Sequence, residues 1–200
     1  MGDVQAAEWA RAVVVAAWRA ETGRDPSLFE AQCVQALTQY ETRWGAGWTG
    51  DCVNSHNWGS IHATTADVNA GRPTCEHSDT YPDGTRYAQR FLMYPDDVRG
   101  CRDVVRHMLR AAGPELAAGT STDAVWRALF YGRYYGAHCP EAIKAFGPSA
   151  AADSFSRTGK MPTTAHGQAC DDECIRQGQD TASAVVRGIA QTLGEEPAPT

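Results

Sequence analysis

Apolar residues recur every three or four positions along much of the chain, which is the spacing of helices with one buried face. The first such stretch runs from about 4 to 22. A second follows Asp25-Pro26-Ser27, which is typical of a helix cap with proline in the first turn, and it ends near Gly45 and Gly47. Its apolar stripe consists of Leu28, Phe29, Cys33, Val34, Leu37 and Tyr40. The pattern also assigns three tryptophans to the core: Trp9, Trp18 and Trp126.

The segment 46–95 has a different pattern, since it is rich in glycine, proline and asparagine and ends in a short alternating run, 87–94. This favours a small β lobe. Helical spacing returns after Pro95 and again at about 122–134, 140–146 and 171–193, with a surface loop over 147–167. We therefore predict a mainly α (α+β) domain over 1–194, with its β lobe at about 46–95 and a disordered tail at 195–200.

Composition narrows the functional classes. The 200 residues are 42% hydrophobic and 21% charged, which is typical of a globular domain, and the net charge of −6 argues against nucleic-acid binding. The chain starts with acidic Met1-Gly2-Asp3 and has no apolar run long enough for a signal peptide or a membrane span. We expect any substrate outside the cytoplasm to be reached as a phage component, as a released lysin or through a specialised secretion machine.

Glu41 is the clearest candidate for a catalytic residue. It follows the last member of the second apolar stripe, so its carboxyl is expected at the border between core and solvent. Burial raises a carboxyl pKa, and the C-terminal end of a helix dipole acts in the same direction. A protonated Glu in a cleft is what an enzyme needs to protonate a glycosidic oxygen. The alternative is an ordinary solvated glutamate at a helix end.

Several motifs together resemble a known family. Glu41-x-x-Trp44-Gly45, then Asn57-Trp58-Gly59-Ser60-Ile61, then the alternating run from Tyr87 to Tyr94 resemble the glucosaminidase-type branch of the lysozyme-like superfamily, glycoside hydrolase family 73. Members of that family cut the glycan strands of bacterial peptidoglycan. The similarity covers roughly 28–140, and it implies a lysozyme-like helical domain whose β hairpin flanks the cleft.

The resemblance also implies roles for individual residues. Glu41 falls on the general acid, and Asn57, Trp58 and Gly59 fall on the segment that lines the sugar groove. A second acidic residue is expected in the hairpin, where Glu76 is favoured over Asp79, and a later tyrosine is either Tyr134 or Tyr135. Flat sugar faces stack on aromatic rings and acetamido groups pair with amides. The predicted stacking residues are Trp44, Trp48, Trp58 and Tyr135, and the predicted acetamido contacts are Asn54 and Asn57.

The seven cysteines allow more than one arrangement. Cys52 and Cys75 bracket the glycine-rich lobe and form the favoured disulfide, while Cys33 on the apolar stripe is the natural free thiol. A link from Cys139 to Cys170 or Cys174 has less support, and reduced thiols throughout are the alternative. A zinc site is a weaker interpretation, because the spacing of its potential ligands matches no common module. Those ligands are Cys52, His56, His62, Cys75 and His77.

The leading hypothesis is a peptidoglycan hydrolase, a glucosaminidase or muramidase, that uses Glu41 as general acid and needs no cofactor, no metal and no membrane. Its expected partner is the glycan strand, with a phage or secretion particle for delivery. One alternative is a lytic transglycosylase that uses Glu41 alone. Another is a noncatalytic saccharide-binding or structural domain of such a particle.

Overall fold

Helices make up most of the fold. The computed structural model describes residues 3–80, 86–132 and 167–200. The helices are α1 (Asp3–Thr22), α2 (Leu28–Thr42), α3 (Thr65–Asn69), α4 (Asp97–Ala118), α5 (Thr122–Tyr131) and α6 (Gly167–Leu193), with a 3₁₀ turn at Gly50–Cys52. Strands β1 (Thr74–Thr80) and β2 (Arg86–Leu92) form an antiparallel sheet. The predicted mainly helical α+β class is confirmed, and the helix predicted at 140–146 lies outside the described residues.

The helix that carries Glu41 is defined at both ends by local bonds. Ser27 accepts a hydrogen bond from the backbone N–H of Glu30, and the Glu30 carboxylate accepts one from the backbone N–H of Ser27. This capping box fixes the start of α2. The helix ends at Thr42 rather than at a glycine, because Arg43 takes a left-handed backbone conformation with φ 49°.

The core lies between five helices. α1 packs on α4, α2 packs on α6, and α5 packs on both α4 and α6. Pro114 lies inside α4, and the backbone departs from helical geometry at Ala112, two residues earlier. Trp18 and Trp126 are buried in this core as predicted.

Two aromatic residues assigned to buried faces are exposed. Trp9 is 36% exposed and packs its ring against Trp58, with 5.2 Å between ring centroids. Tyr40, predicted as the last member of the α2 stripe, is 61% exposed. Both ends of that stripe reach solvent, since Leu28 is exposed as well, whereas the middle of α2 is buried on all sides. The spacing of apolar residues therefore identified the helix, but it did not show which of its positions are buried by neighbouring elements.

The C-terminal tail, predicted to be disordered, is bonded to the helices. The backbone N–H of Ala198 donates to Gln32 Oε1 at 2.6 Å, and the N–H of Thr122 donates to the Pro199 carbonyl at 2.8 Å. Arg11 pairs with Glu195 at 2.6 Å. Gln32 is fully buried, so its side-chain amide needs such partners, and the tail supplies them.

Within the described ranges, no helix is both long enough and apolar enough to cross a membrane.

Candidate functional site

A small cleft lies where the last turn of α2 faces the hairpin. Its volume is about 180 Å³. The residues that line it are Glu41, Thr42, Gly47, Trp48, Ser60, His77 and Phe91. They come from α2, from the loop that follows it, from the Asn57 to Ile61 segment and from both strands. The cleft therefore brings together segments that the sequence keeps up to 50 residues apart (91 − 41).

Glu41 has the electrostatic character of an acid. Its side chain is half-buried, and removal from water raises its pKa from 4.5 to about 7, while a hydrogen bond with the Ser60 side chain opposes that rise. A carboxyl with this pKa is about half protonated at neutral pH. It can therefore donate a proton to a ligand in the cleft.

Thr42, the next residue, bonds the end of α2 to the backbone of the loops that surround the cleft. Its hydroxyl donates to the Trp58 carbonyl at 2.9 Å and accepts from the N–H of Gly45 at 2.9 Å. The Thr42 carbonyl accepts from the N–H of Gly47 at 2.8 Å. A Cβ at position 47 would lie 2.9 Å from that carbonyl oxygen, so glycine permits this close approach.

Trp48 forms the aromatic wall of the cleft. Its indole N–H donates to the Asn57 carbonyl at 2.7 Å, and its ring packs on Phe91 with 4.8 Å between centroids. The side chain is half-buried, with part of its ring area open to the cleft. Of the aromatic residues predicted to stack on sugar, this is the one that the structure places beside Glu41 among the described side chains.

The favoured disulfide is present. Cys52 and Cys75 are joined, with 5.2 Å between their Cα atoms, and they pack under Phe91. Cys33 is a buried free thiol as predicted, and Cys101 is another. The zinc interpretation does not fit, because both cysteines of that set are in the disulfide and His56 pairs with Asp97 at 2.9 Å. No cluster of three or more metal-capable side chains occurs in the described part of the chain.

Asn57 and Trp58 are structural rather than ligand-facing. Both are 0% exposed, so neither can contact a sugar in this conformation, which corrects the roles predicted for them. The Asn57 amide donates to the carbonyls of Ile61 and Leu92, at 2.9 Å each, and thereby ties the loop to β2. The indole N–H of Trp58 donates to Asp97 at 2.9 Å and ties the loop to α4.

Trp44 and Asn54 also lie away from the cleft. Trp44 donates its indole N–H to the Gln35 carbonyl and lines a separate cavity of about 440 Å³ between α1, α2 and α6. It turns away from Glu41 because its backbone is left-handed, with φ 58°. Asn54 is exposed in the loop and is not part of the cleft lining.

Glu76, the favoured second acid, does not line the cleft that contains Glu41. Glu76 is exposed on β1, and it lies between Cys75 and His77, which face the cleft side of the strand. Side chains alternate along a strand, so position 76 faces the other way. The backbone of Asp79 lies on β1, opposite Tyr87, but its side chain lies outside the described part, and Tyr134 and Tyr135 lie outside the described residues.

Five residues of the cleft lining were not among the predicted site residues: Thr42, Gly47, Ser60, His77 and Phe91. A signal for His77 was available, because it has the same strand parity as Cys75, whose disulfide with Cys52 was predicted to bracket the glycine-rich lobe. Ser60 was quoted within the Asn57 to Ile61 motif but was given no role. Its backbone is left-handed, with φ 51°, and that conformation is not visible in the sequence.

Comparisons of the chain with protein-family models, with curated proteins and with solved structures find no match. The chemistry of the cleft therefore has to carry the assignment of function.

Proposed function

We propose that this protein is a glycoside hydrolase of the lysozyme-like kind, which cleaves the glycan strand of bacterial peptidoglycan with Glu41 as general acid. The observation that carries the proposal is a half-buried carboxyl with a pKa raised to about 7, set in a cleft beside the Trp48 ring. The family resemblance of the Glu41 and Asn57 to Ile61 motifs supports the same conclusion. The substrate follows from that resemblance and from the pairing of an acid with an aromatic wall.

In the proposed reaction, a sugar ring packs against Trp48 and places its glycosidic oxygen within hydrogen-bond reach of Glu41. The protonated carboxyl donates to that oxygen as the bond to the anomeric carbon breaks, because an alkoxide is a poor leaving group. The Ser60 hydroxyl, bonded to the carboxyl, orients it and stabilises the carboxylate that remains.

A lytic transglycosylase is the second candidate. Glu41 is the one carboxylate among the described residues that line the cleft. A transglycosylase needs no other, since the same group can protonate the leaving oxygen and then accept a proton from the hydroxyl of the sugar itself. The two activities differ in their products, which end in a reducing sugar after hydrolysis and in an anhydro sugar after transglycosylation.

The test is digestion of purified peptidoglycan by the wild type and by Glu41→Gln, with products identified by mass spectrometry before and after borohydride reduction. Glutamine keeps the size of the side chain but has no proton to donate. We expect soluble glycan fragments from the wild type and a rate at least about 100-fold lower from the variant. Reducible ends indicate hydrolysis, and the sugar at that end identifies the bond that is cut.

The matched control is Glu76→Gln, which makes the same change at an exposed carboxylate on the other face of β1. Its rate should stay within about twofold of the wild type, because a solvated carboxylate outside the cleft takes no part in proton transfer. If the wild type, folded and at neutral pH, releases no fragments, the proposed function is wrong. Equal activity of Glu41→Gln would remove Glu41 from the mechanism.

A further inference from the structure

His77 is the second titratable side chain that lines the Glu41 cleft in the described part of the chain. The proposed general acid accounts for only half of a hydrolysis, because water must also lose a proton as it attacks. The exposed carboxylate Glu76 faces away from the cleft. An imidazole inside it is the group whose chemistry fits that need, since the unprotonated ring nitrogen of a histidine can accept a proton from water.

A disulfide near His77 and two ring contacts hold the imidazole in place. Cys75, two residues earlier on the same face of β1, is joined to Cys52, which anchors the strand to the loop after α2. The Trp48 ring meets the imidazole edge-on, at 87° and 5.6 Å between centroids, and Phe91 meets it at 69° and 6.3 Å. Trp48 and Phe91 also pack on each other, with 4.8 Å between centroids, so they form one aromatic wall against which the imidazole rests before a ligand binds.

We propose that His77 is the base that activates the attacking water in this cleft, opposite Glu41. This role rests on the proposed function, and it places the two catalytic groups on different elements, the acid on α2 and the base on β1. It also favours hydrolysis over transglycosylation, because a positioned base for water makes the hydroxyl of the sugar unnecessary.

The step balances as follows. The proton of Glu41 passes to the glycosidic oxygen, and the bond between that oxygen and the anomeric carbon breaks, with its electron pair left on the oxygen. The water oxygen forms the new bond to the anomeric carbon and gives its proton to the unprotonated imidazole nitrogen of His77. The products are the two shortened glycans, a Glu41 carboxylate and a His77 imidazolium. Solvent then takes the proton from His77 and returns one to Glu41.

The charged and titratable groups around His77 define the electrostatics of this step. Glu41, on the last turn of α2, lines the same cleft, and His62 packs against Phe91, at 4.7 Å between ring centroids. Opposite His77 in the sheet lies neutral Gln89, and the adjoining strand residues Glu76 and Arg90 are exposed. Once Glu41 has given up its proton, its negative charge stabilises the imidazolium that forms.

The test compares rates of reducing-end release from peptidoglycan by the wild type, His77→Gln, His77→Ala and Glu76→Gln between pH 5 and pH 9. We expect His77→Gln to lower kcat about 100-fold and to leave KM within about threefold, because a general base acts on the chemical step. The decline in rate toward acid pH that protonation of a base imposes should disappear in the variant. Glu76→Gln, the neighbour on the opposite face, should keep the rate and the pH profile of the wild type.

Azide provides a readout that a purely structural role would not move. It attacks an anomeric carbon without giving up a proton, so it should restore turnover of His77→Ala about tenfold or more and yield a glycosyl azide. Near-UV circular dichroism checks that the variants are folded. Wild-type rates and pH profiles in both His77 variants would overturn this role while leaving Glu41 as the acid. A wild type that releases nothing would overturn the proposed function and this role with it.

Discussion

The helical core and the lobe that carries the cleft are held together by different forces. In the core, apolar side chains from α1, α2, α4, α5 and α6 pack into one buried cluster. In the described part of the lobe between α2 and α4, Trp58 joins that core cluster, and Cys52, Cys75 and Phe91 form a smaller cluster with Trp48 and Met93 against it. Individual bonds add to this limited packing: the disulfide and the side-chain bonds of Thr42 and Asn57. The core is therefore stabilised by many weak contacts and the lobe by a few strong ones.

Backbone strain also differs between the helical core and the lobe. Among the described residues, every non-glycine residue with positive φ lies in the segment that lines or supports the cleft: Arg43, Trp44, Asn54, His56 and Ser60. Such conformations cost free energy and persist only where surrounding bonds determine them. The packing of the core therefore stabilises the fold, and part of that stabilising free energy offsets the cost of the left-handed residues that shape the cleft.

We expect the largest loss of stability from a change at the contact between the helical core and the lobe. Gly100 on α4 lies against the loop, and a Cβ there would come within 1.7 Å of the His56 carbonyl oxygen. Both groups are backbone, so neither can move aside without shifting the helix or the loop. We expect Gly100→Ala to lower the free energy of unfolding by about 3 kcal/mol or more, measured by guanidinium denaturation.

Gly188→Ala is the matched control for that change. It lies in α6 and nothing lies within 4 Å of its added Cβ, so alanine should stabilise the helix by about 1 kcal/mol. If both variants lose similar stability, the contact between Gly100 and the loop is not what joins the two regions.

Removal of the disulfide tests the lobe itself. The bond closes a sequence separation of 23 residues, for which the chain-entropy model gives about 3 kcal/mol. We expect Cys52→Ser/Cys75→Ser to lose about this much stability and, because the loop and β1 then separate, most of the glycan-cleaving activity. The measurement is denaturation and peptidoglycan digestion, each with and without reductant.

Reductant is also the internal control. It should remove the difference in stability between the wild type and the double variant, because it breaks the same bond in the wild type, while Cys33 and Cys101 are already reduced and buried in both. Full stability and activity in the double variant would show that the hydrogen bonds of the lobe suffice without the covalent link.

The helices were predictable because each follows a repeating pattern. The spacing of apolar positions identified α1, α2, α5 and α6 to within a few residues at each boundary, and it identified the start of α4 but not its end at Ala118. What periodicity does not report is which neighbours cover a helix, and this is why Tyr40 and Trp9 were misassigned. The order of 195–200 was missed for a related reason, since the partner that orders this tail is the buried amide of Gln32, which lies more than 160 residues away.

The site was only partly predictable. The positions of Glu41, Trp48 and the disulfide followed from local sequence, because a helix end, a glycine-rich loop and paired cysteines each have a recognisable pattern. The orientations of Trp44, Asn57 and Trp58 did not, because they depend on left-handed backbone residues, on the Leu92 carbonyl of β2 and on the Asp97 carboxylate of α4. Burial of those side chains is a tertiary property that their motif does not encode.

The smallest expected loss of stability concerns Glu41 itself and does not depend on substrate. The folded protein keeps the Glu41 proton up to about pH 7, whereas an unperturbed carboxyl loses it near 4.5. The folded state is therefore favoured most below pH 4.5, and that contribution is lost as pH rises through 7. For a half-buried group we expect about 2 kcal/mol of decline. Glu41→Gln cannot ionise and should be more stable than the wild type at pH 8, by thermal denaturation, with little difference at pH 4.5. Glu76→Gln should have the stability of the wild type at both pH 4.5 and pH 8. If Glu41→Gln lost as much stability as the wild type between these pH values, the cleft would not hold this carboxyl in its protonated form.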